Sequence, residues 1–355
     1  MNYYKDTTNH EDPENIYIGI DVHKKSWSIS IMSDYLELKS FSQPPEPEIL
    51  VNYLHRHFPN ARYKSAYESG FSGFWTHRSL QKLGIENIVV NPSDIPTTDK
   101  EKKSKRDSVD CRKIARSLRG NELTGIHVPD EIVDQDKALV RCRNKLVRDI
   151  KRCKNRIKSQ LLYWGIKIPE ELDNSYWSKR LRQWIKGLSF DNPSAGLIME
   201  VYLEELESIE AQKKKVEKQL VELSKGRYRE IVGWLRSLPG IGLLGAITLI
   251  TEVKDINRFS SLDKLHSFVG LVPNVNSSAE TEKVGGITQR HNKYLRTIIV
   301  QCAWKAAYQD PGLFRTYNKL CKKMKANKAI IRIAKKLLNR VSYVWKNECE
   351  YKVQL

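Results

Sequence analysis

No stretch of this 355-residue sequence approaches the 18 or so consecutive apolar residues that a membrane-crossing helix needs, and there is no lipidation motif. The start, MNYYKDTTNHEDPEN, is polar throughout and unlike a signal peptide, so a soluble intracellular protein is expected. The six cysteines, at 111, 142, 153, 302, 321 and 349, make no C-x-x-C pair and no zinc-ligand spacing, which reads as reduced thiols and no structural zinc. Acids are scarce: 42 Asp and Glu stand against 61 Lys and Arg, a net charge of +19. The default partner of such an excess is a polyanion. The scarcity is also uneven, with 11 basic residues and no acid from Pro311 to Asn347, and 11 basic residues and only Asp149 from Lys137 to Lys167. Charge this one-sided repels itself unless something neutralises it, which favours nucleic acid over a solvated helix face.

What is present begins with ENIYIGIDVHKKSWSISIM, where Ile16, Ile18 and Ile20, then Trp27, Ile29 and Ile31, alternate as two strands around a His23-Lys24-Lys25 turn. A third strand, YLELKSF, follows, then a strand ARYKSAYE (61–68), a helix HRSLQKLG, a strand IENIVVN ended by Pro92, and a helix DSVDCRKIARSLRG stopped by Gly120. Three early strands followed by alternating helix and strand is the order of a ribonuclease-H-like α/β fold, whereas a doubly wound sheet more often begins β-α-β. Residues 137–164 and 198–223 each carry one apolar stripe, through Cys142 in the first and Ile198 in the second. Two long helices packed as an antiparallel coiled-coil pair, or against another subunit, would bury both. A short helix is expected between them. The last part is mostly helical: LRSLPGIGLLGAITLITEV places a Gly240-Ile241-Gly242 turn between two helices, then come a Ser- and Gly-bearing loop, a helix from near Asn292 and a basic tail helix over 313–345. The glycine turn fits a helix-hairpin-helix that grips DNA backbone through amides at a helix start, or a plain helix-helix turn.

Asp21 is the misfit of the first strand, since a carboxylate is depleted there and costly to desolvate. Alone it reads as a rim or turn-capping residue. Glu68 closes another strand, and Asp107 and Asp110 lie one helical turn apart on one face. In a ribonuclease-H-like sheet these four meet at one edge, where they could hold two Mg²⁺ ions that clamp the attacking and leaving oxygens of a phosphodiester. The approach KEKKSKRDSVDCRK sets these acids in a basic stretch, with Lys103, Lys105 and Arg106 as phosphate-contact candidates.

Together these motifs resemble the DEDD transposases of the IS-one-ten insertion-sequence family. IYIGIDVHKKSW with Asp21 is similar to the family's first strand, YESG with Glu68 to its Glu motif, and KRDSVDCRKIA with Asp107 and Asp110 to its D-x-x-D helix. LPGIGLLGAITLITEV, FVGLVP and GGITQRHNKYLR resemble its C-terminal part. The resemblance implies a RuvC-like metal-binding domain (1–125), a helical coiled-coil region for oligomerisation (126–228) and a transposase domain (229–355) with a nucleophilic serine after GL-x-P. Ser278 falls at that place with Ser277 beside it, and Ala279 stands where the family usually has Gly. It further implies Mg²⁺, double-stranded DNA as donor and target, a structured guide RNA, a dimer or tetramer, and a bacterial or archaeal cytoplasmic setting at the nucleoid. Gly240, Gly242, Arg290, Lys293, Arg296, Lys322 and Lys323 complete the candidate nucleic-acid contacts. Competing expectations are a site-specific DNA invertase, a RuvC-like nuclease using metals and water, and a non-enzymatic nucleic-acid-binding protein with degenerate acids.

Overall fold

The computed structural model describes residues 14–98, 107–173, 177–278 and 281–353, with backbone only for 107–108, 275–278 and 281–284. The chain divides into two compact units after Val128.

The first unit is a mixed five-stranded sheet in the order β3-β2-β1-β4-β5. Its strands are β1 (Asn15–Val22), β2 (Trp27–Met32), β3 (Glu37–Gln43), β4 (Arg62–Glu68) and β5 (Glu86–Val90). β1 lies antiparallel to β2 and parallel to β4, and β5 continues parallel. Strand periodicity gives the two faces different tasks. Ile16, Ile18 and Ile20 point to one face, where they pack with Leu50 and Leu54 of α1 (Pro47–His57) and Leu80 of α2 (Trp75–Lys82). α1 lies in a stretch where the strand pattern alone gave no sign of a helix; Pro47 in its first turn and the buried Leu50, Val51 and Leu54 define it.

The opposite face is built for closeness. Gly19 of β1 pairs with Ser30 of β2 and with Ala66 of β4, so three small residues sit side by side. α3 (Asp107–Arg119) rests on them: a Cβ at Gly19 would stand 2.0 Å from the Cys111 carbonyl oxygen and 2.4 Å from the Ala115 nitrogen. Ser30 and Ala66 are wholly buried there.

The second unit is almost entirely helical. α4 (Glu131–Tyr163) and α6 (Pro193–Lys225) run 33 residues each. The ion pairs Arg143–Glu217, Lys154–Glu210 and Arg156–Glu205 descend one helix as they ascend the other, which makes the pair antiparallel. Between them α5 (Lys179–Lys186) buries Leu181 and Ile185 against the pair. The stripes differ from the sequence expectation: Cys142 is exposed and Ile198 is 36% exposed, while Val140, Met199 and Leu203 are buried. The start of α4 also packs against α8 (Leu243–Val253), and that second neighbour turns Val140 inward instead of Cys142.

Around α8, which is buried from Gly245 to Val253, gather α4, α6, α7 (Arg229–Arg236) and α10 (Lys293–Gln309), while α9 (Leu262–Val269) packs on α10 and on the tail. The segment expected as a serine loop is instead a hairpin of β6 (Pro273–Ser278) and β7 (Thr281–Ile287), in which Val275 pairs with Val284. The tail is also corrected. In place of one helix over 313–345 there are two, α11 (Pro311–Cys321) and α12 (Ala326–Lys346), with Lys325 extended between them. The bend lets both helices pack against α10 and against each other, which one straight helix could not do. No helix among the described residues is long and apolar enough to cross a membrane.

Candidate active site

Parity and register put the acids on one face of the sheet. Asp21 lies two residues beyond Gly19 and Glu68 two beyond Ala66, so both carboxylates leave adjacent parallel strands on the face that carries α3. Asp110, in the first turn of α3, joins them from above. The side chains of Asp21, Glu68 and Asp110 are 20%, 35% and 27% exposed, a rim open to solvent and backed by core. Asp107 begins α3, but its side chain lies outside the described residues.

Sequence reasoning missed Lys113. Its ammonium, only 9% exposed, donates to Asp110 Oδ1 at 3.1 Å and stands 3.8 Å from Glu68 Oε1. The signal available was the i, i+3 spacing from Asp110. On the other side His23 Nε2 lies 3.2 Å from Asp21 Oδ2. Burial, reinforced by the negative charge of Asp21, pushes the Cys111 thiol up to about 11, so it stays protonated and inert. Among the described residues no three His, Cys, Asp or Glu side chains are grouped closely enough to hold a metal ion. The donor chemistry nevertheless fits a hard divalent cation, since Asp21, Glu68 and Asp110 offer carboxylate oxygens on one face and a lysine already marks the place of a positive charge.

The loop after Glu68 is pinned from beneath. Tyr67 donates its hydroxyl proton to the Gly73 carbonyl at 3.0 Å and accepts from the His77 amide at 3.3 Å; burial raises its pKa to about 12. The Ser69 amide reaches the Val90 carbonyl at 2.8 Å. Glu68 therefore leaves a fixed backbone.

In the second unit Ser277 and Ser278 end β6, paired in register with Glu282 and Thr281; their side chains lie outside the described residues. The hairpin's base is tightly held. The Thr288 amide bonds the Val272 carbonyl, Arg296 bonds the Thr288 carbonyl, and the Asn292 amide bonds Phe268. Behind it Glu252, 2% exposed, accepts two hydrogen bonds from Arg141 at 2.6 and 2.8 Å and one from Asn292 at 2.8 Å. Asn292 in turn caps α10 by accepting from the Tyr294 and Leu295 amides.

Two family models match the chain. One, described as a transposase of the DEDD IS110 type, matches residues 18–164; the other, described as the IS116/IS110/IS902 transposase family, matches residues 233–319. The chain belongs to the IS110 transposase family. It is 34% identical over 244 residues to the Sinorhizobium fredii protein y4qE, covering 68% of this chain and 58% of that protein. It is 28% identical over 259 residues to the transposase for insertion sequence element IS1533 of Leptospira borgpetersenii, covering 71% and 74%. With the transposase for element IS1328 of Yersinia enterocolitica it shares 25% identity over 345 residues, 94% of this chain and 97% of the relative.

The first IS110 match contains Asp21, Glu68, Asp107 and Asp110, and the second contains Gly240, Ser278 and the hairpin. The remaining candidates fall into unlike settings. Gly240 (φ 88°) presses on α10: a Cβ there would stand 2.6 Å from the Ala306 nitrogen and 2.6 Å from the Cys302 carbonyl. Its absent side chain serves helix packing. Gly242 is exposed and opens α8 without a side-chain cap. Arg290 and Lys293 are exposed, whereas Arg296 is half-buried and spent on the Thr288 carbonyl. Lys322 and Lys323 are exposed at the bend between α11 and α12, and Lys103, Lys105 and Arg106 lie outside the described residues.

Proposed function

We infer that this protein is the transposase of a mobile insertion sequence, cutting and rejoining DNA with a metal-assisted serine under the direction of a structured guide RNA. The observation that carries this reading is the shared face of Asp21, Glu68 and Asp110 at the edge of a sheet ordered 3-2-1-4-5, within a chain of the IS110 family. That order, with β1 antiparallel to β2 and parallel to β4, supports a ribonuclease-H-like, RuvC-like domain over 1–125.

Asp21, Glu68, Asp107 and Asp110 would hold two Mg²⁺ ions, which would offset charge on the scissile phosphate and on the departing oxygen. The Ser278 hydroxyl bonds to the phosphorus as the bond from phosphorus to one DNA oxygen breaks; the serine proton passes by way of solvent to that oxygen, which leaves as a strand-end hydroxyl. A hydroxyl from another strand then reverses the exchange, releasing serine and joining DNA. Of the neighbouring hydroxyls of Ser278 and Ser277, only one can be in line with the phosphorus, and Ser278 is the one assigned.

Several strands must be cut in one complex, which supports a homo-oligomer formed through the helical region 126–228. Leu162 and Tyr163 at the end of α4, and Leu197, Ile198 and Val201 near the start of α6, are exposed apolar residues at the same end of the antiparallel pair. Sequence choice is assigned to a guide RNA because the basic residues spread over the D-x-x-D approach, α4 and the tail far exceed one duplex footprint. The transposase domain, 229–355, carries the serine.

The test is recombination by purified protein with and without its RNA. Asp21→Ala and Asp110→Ala are expected to abolish joining while nucleic-acid binding persists, and Ser278→Ala to abolish a covalent protein–DNA adduct that Ser277→Ala retains. Full activity in both acid variants would remove the metal centre. Adducts in the double serine variant would remove serine chemistry, and sequence-specific recombination by RNA-free protein would remove the guide.

A further inference from the structure

A cavity of about 490 Å³ opens in the second unit between α4, α6, α8 and α10, away from the hairpin that carries the serines. Its volume lies in the range of small-ligand sites. The floor is apolar: Val147, Leu244 and Ile298 reach its surface, backed by the buried Val140, Leu220 and Ile247. The mouth is different. Arg148 and Lys293 stand there exposed, with Asn144, Thr297 and Gln301 offering amide and hydroxyl groups beside them.

The charges at the mouth are held in place without being cancelled. Tyr294 lies 5.9 Å from the Arg148 guanidinium and 5.3 Å from the Lys293 ammonium, ring centroid to cation, and Arg141 stacks on the same ring at 4.7 Å. A cation–π contact orients a cation but supplies no counter-charge. Arg141 and Arg143 have carboxylate partners, Glu252 and Glu217. Among the described residues no carboxylate forms an ion pair with Arg148 or Lys293. A pocket with a greasy floor, hydrogen-bonding walls and two uncompensated cations at its lip matches a ligand that is planar and apolar at one end and anionic at the other. A nucleotide has that shape.

We propose that this cavity receives a single unpaired nucleotide of a bound nucleic-acid strand, its base over Val147, Leu244 and Ile298 and its phosphate between Arg148 and Lys293. A paired base cannot enter, because its edge and both faces are already occupied in the duplex; the cavity therefore selects unpaired positions of RNA or single-stranded DNA. This rests on the nucleic-acid reading above and adds to it a place where strand state is sensed.

Fluorescence anisotropy at fixed salt, with a 15-nucleotide oligouridylate, the matching oligothymidylate and a 15-base-pair duplex, tests it on the full chain. Thr297→Trp fills the mouth without changing charge. It is expected to weaken single-strand binding at least about fivefold, in line with the stacking lost per base, and to leave duplex binding within about twofold. Arg148→Gln with Lys293→Gln is expected to weaken single-strand binding more than duplex binding. A larger loss with uridylate assigns the nucleotide to RNA, and a larger loss with thymidylate to DNA. On the unmutated protein, a strand carrying 5-iodouracil should photocrosslink to peptides spanning 140–148 or 293–301. Single-strand binding by Thr297→Trp at the unmutated level, equal losses on single strand and duplex, or crosslinks only elsewhere would overturn the cavity and leave general DNA binding standing. Absence of all binding would overturn both.

Discussion

Lys113→Met takes a buried positive charge from between two carboxylates while keeping a side chain of similar reach. At the observed 3.1 Å to Asp110 and 3.8 Å to Glu68, an effective dielectric of about 20 gives attractions of about 5 and about 4 kcal/mol. Those are ceilings. Both carboxylates are about a third exposed, so solvent screens them, and the ammonium has given up its own hydration; hydrogen bonds to charged groups net about 1.5–3 kcal/mol. The variant is therefore expected to be about 2 kcal/mol less stable than the parent in chelator. Mg²⁺ should then act on it more strongly, because no ammonium has to leave before a cation binds. A tenfold gain in affinity corresponds to about 1.4 kcal/mol, so the lost stability translates into Mg²⁺ binding tighter by tenfold or more. Urea denaturation with and without Mg²⁺, together with calorimetric titration, reads both quantities. Equal stability in chelator, or Mg²⁺ affinity that stays the same or falls, would refute the reasoning and make Lys113 a prop for the acids instead of their counter-ion.

Gly19→Ala puts a methyl group into the backbone of α3, and such overpacking costs about 1–3 kcal/mol; a denaturation midpoint unchanged from the parent would show that α3 does not rest on β1. Asp310, 1% exposed, accepts from the Leu313 amide at 2.8 Å, from Arg340 at 2.6 Å and from the Tyr351 hydroxyl at 3.1 Å. Burial alone would raise its pKa, but those three partners outweigh it and hold the carboxyl below its ordinary value. Its contribution is therefore fully present above the unfolded carboxyl value of about 3.9 and is lost as pH falls through the lower folded value. Asp310→Asn is expected to cost about 3 kcal/mol at pH 7 and to flatten the acid limb of stability below pH 4, measured by urea denaturation across pH; an acid limb as steep as the parent's would refute this.

The sheet was legible in the sequence because strand alternation is local, and the misfit of Asp21 in an isoleucine strand drew attention to the edge where Glu68 and Asp110 also stand. What escaped was nonlocal. Lys113 reads as one more surface lysine until β4 brings Glu68 beside it. Gly240 reads as a turn, yet the atoms that demand a glycine there belong to Cys302 and Ala306, some sixty residues downstream. The bend at Lys322–Lys325 contains neither Pro nor Gly; it arises because α11 and α12 must both reach α10. The strand pattern of β6 and β7 was obscured by polar residues, since PNVNSS and TEKVGGI carry few apolar side chains to alternate.

Because α3 lies on peptide backbone at Gly19 and not on a cushion of side chains, the gap between the carboxylates of β1 and α3 is set by contact between main-chain atoms. The two faces of one sheet thereby age differently. The isoleucine side can exchange one aliphatic for another and repack, with the helices beyond it absorbing the change. The Ser30–Gly19–Ala66 side has no slack to absorb anything, and a single added carbon there is transmitted directly to the distance across which a cation would be shared. The protein keeps its tolerance to drift on one side of a strand and its chemical ruler on the other.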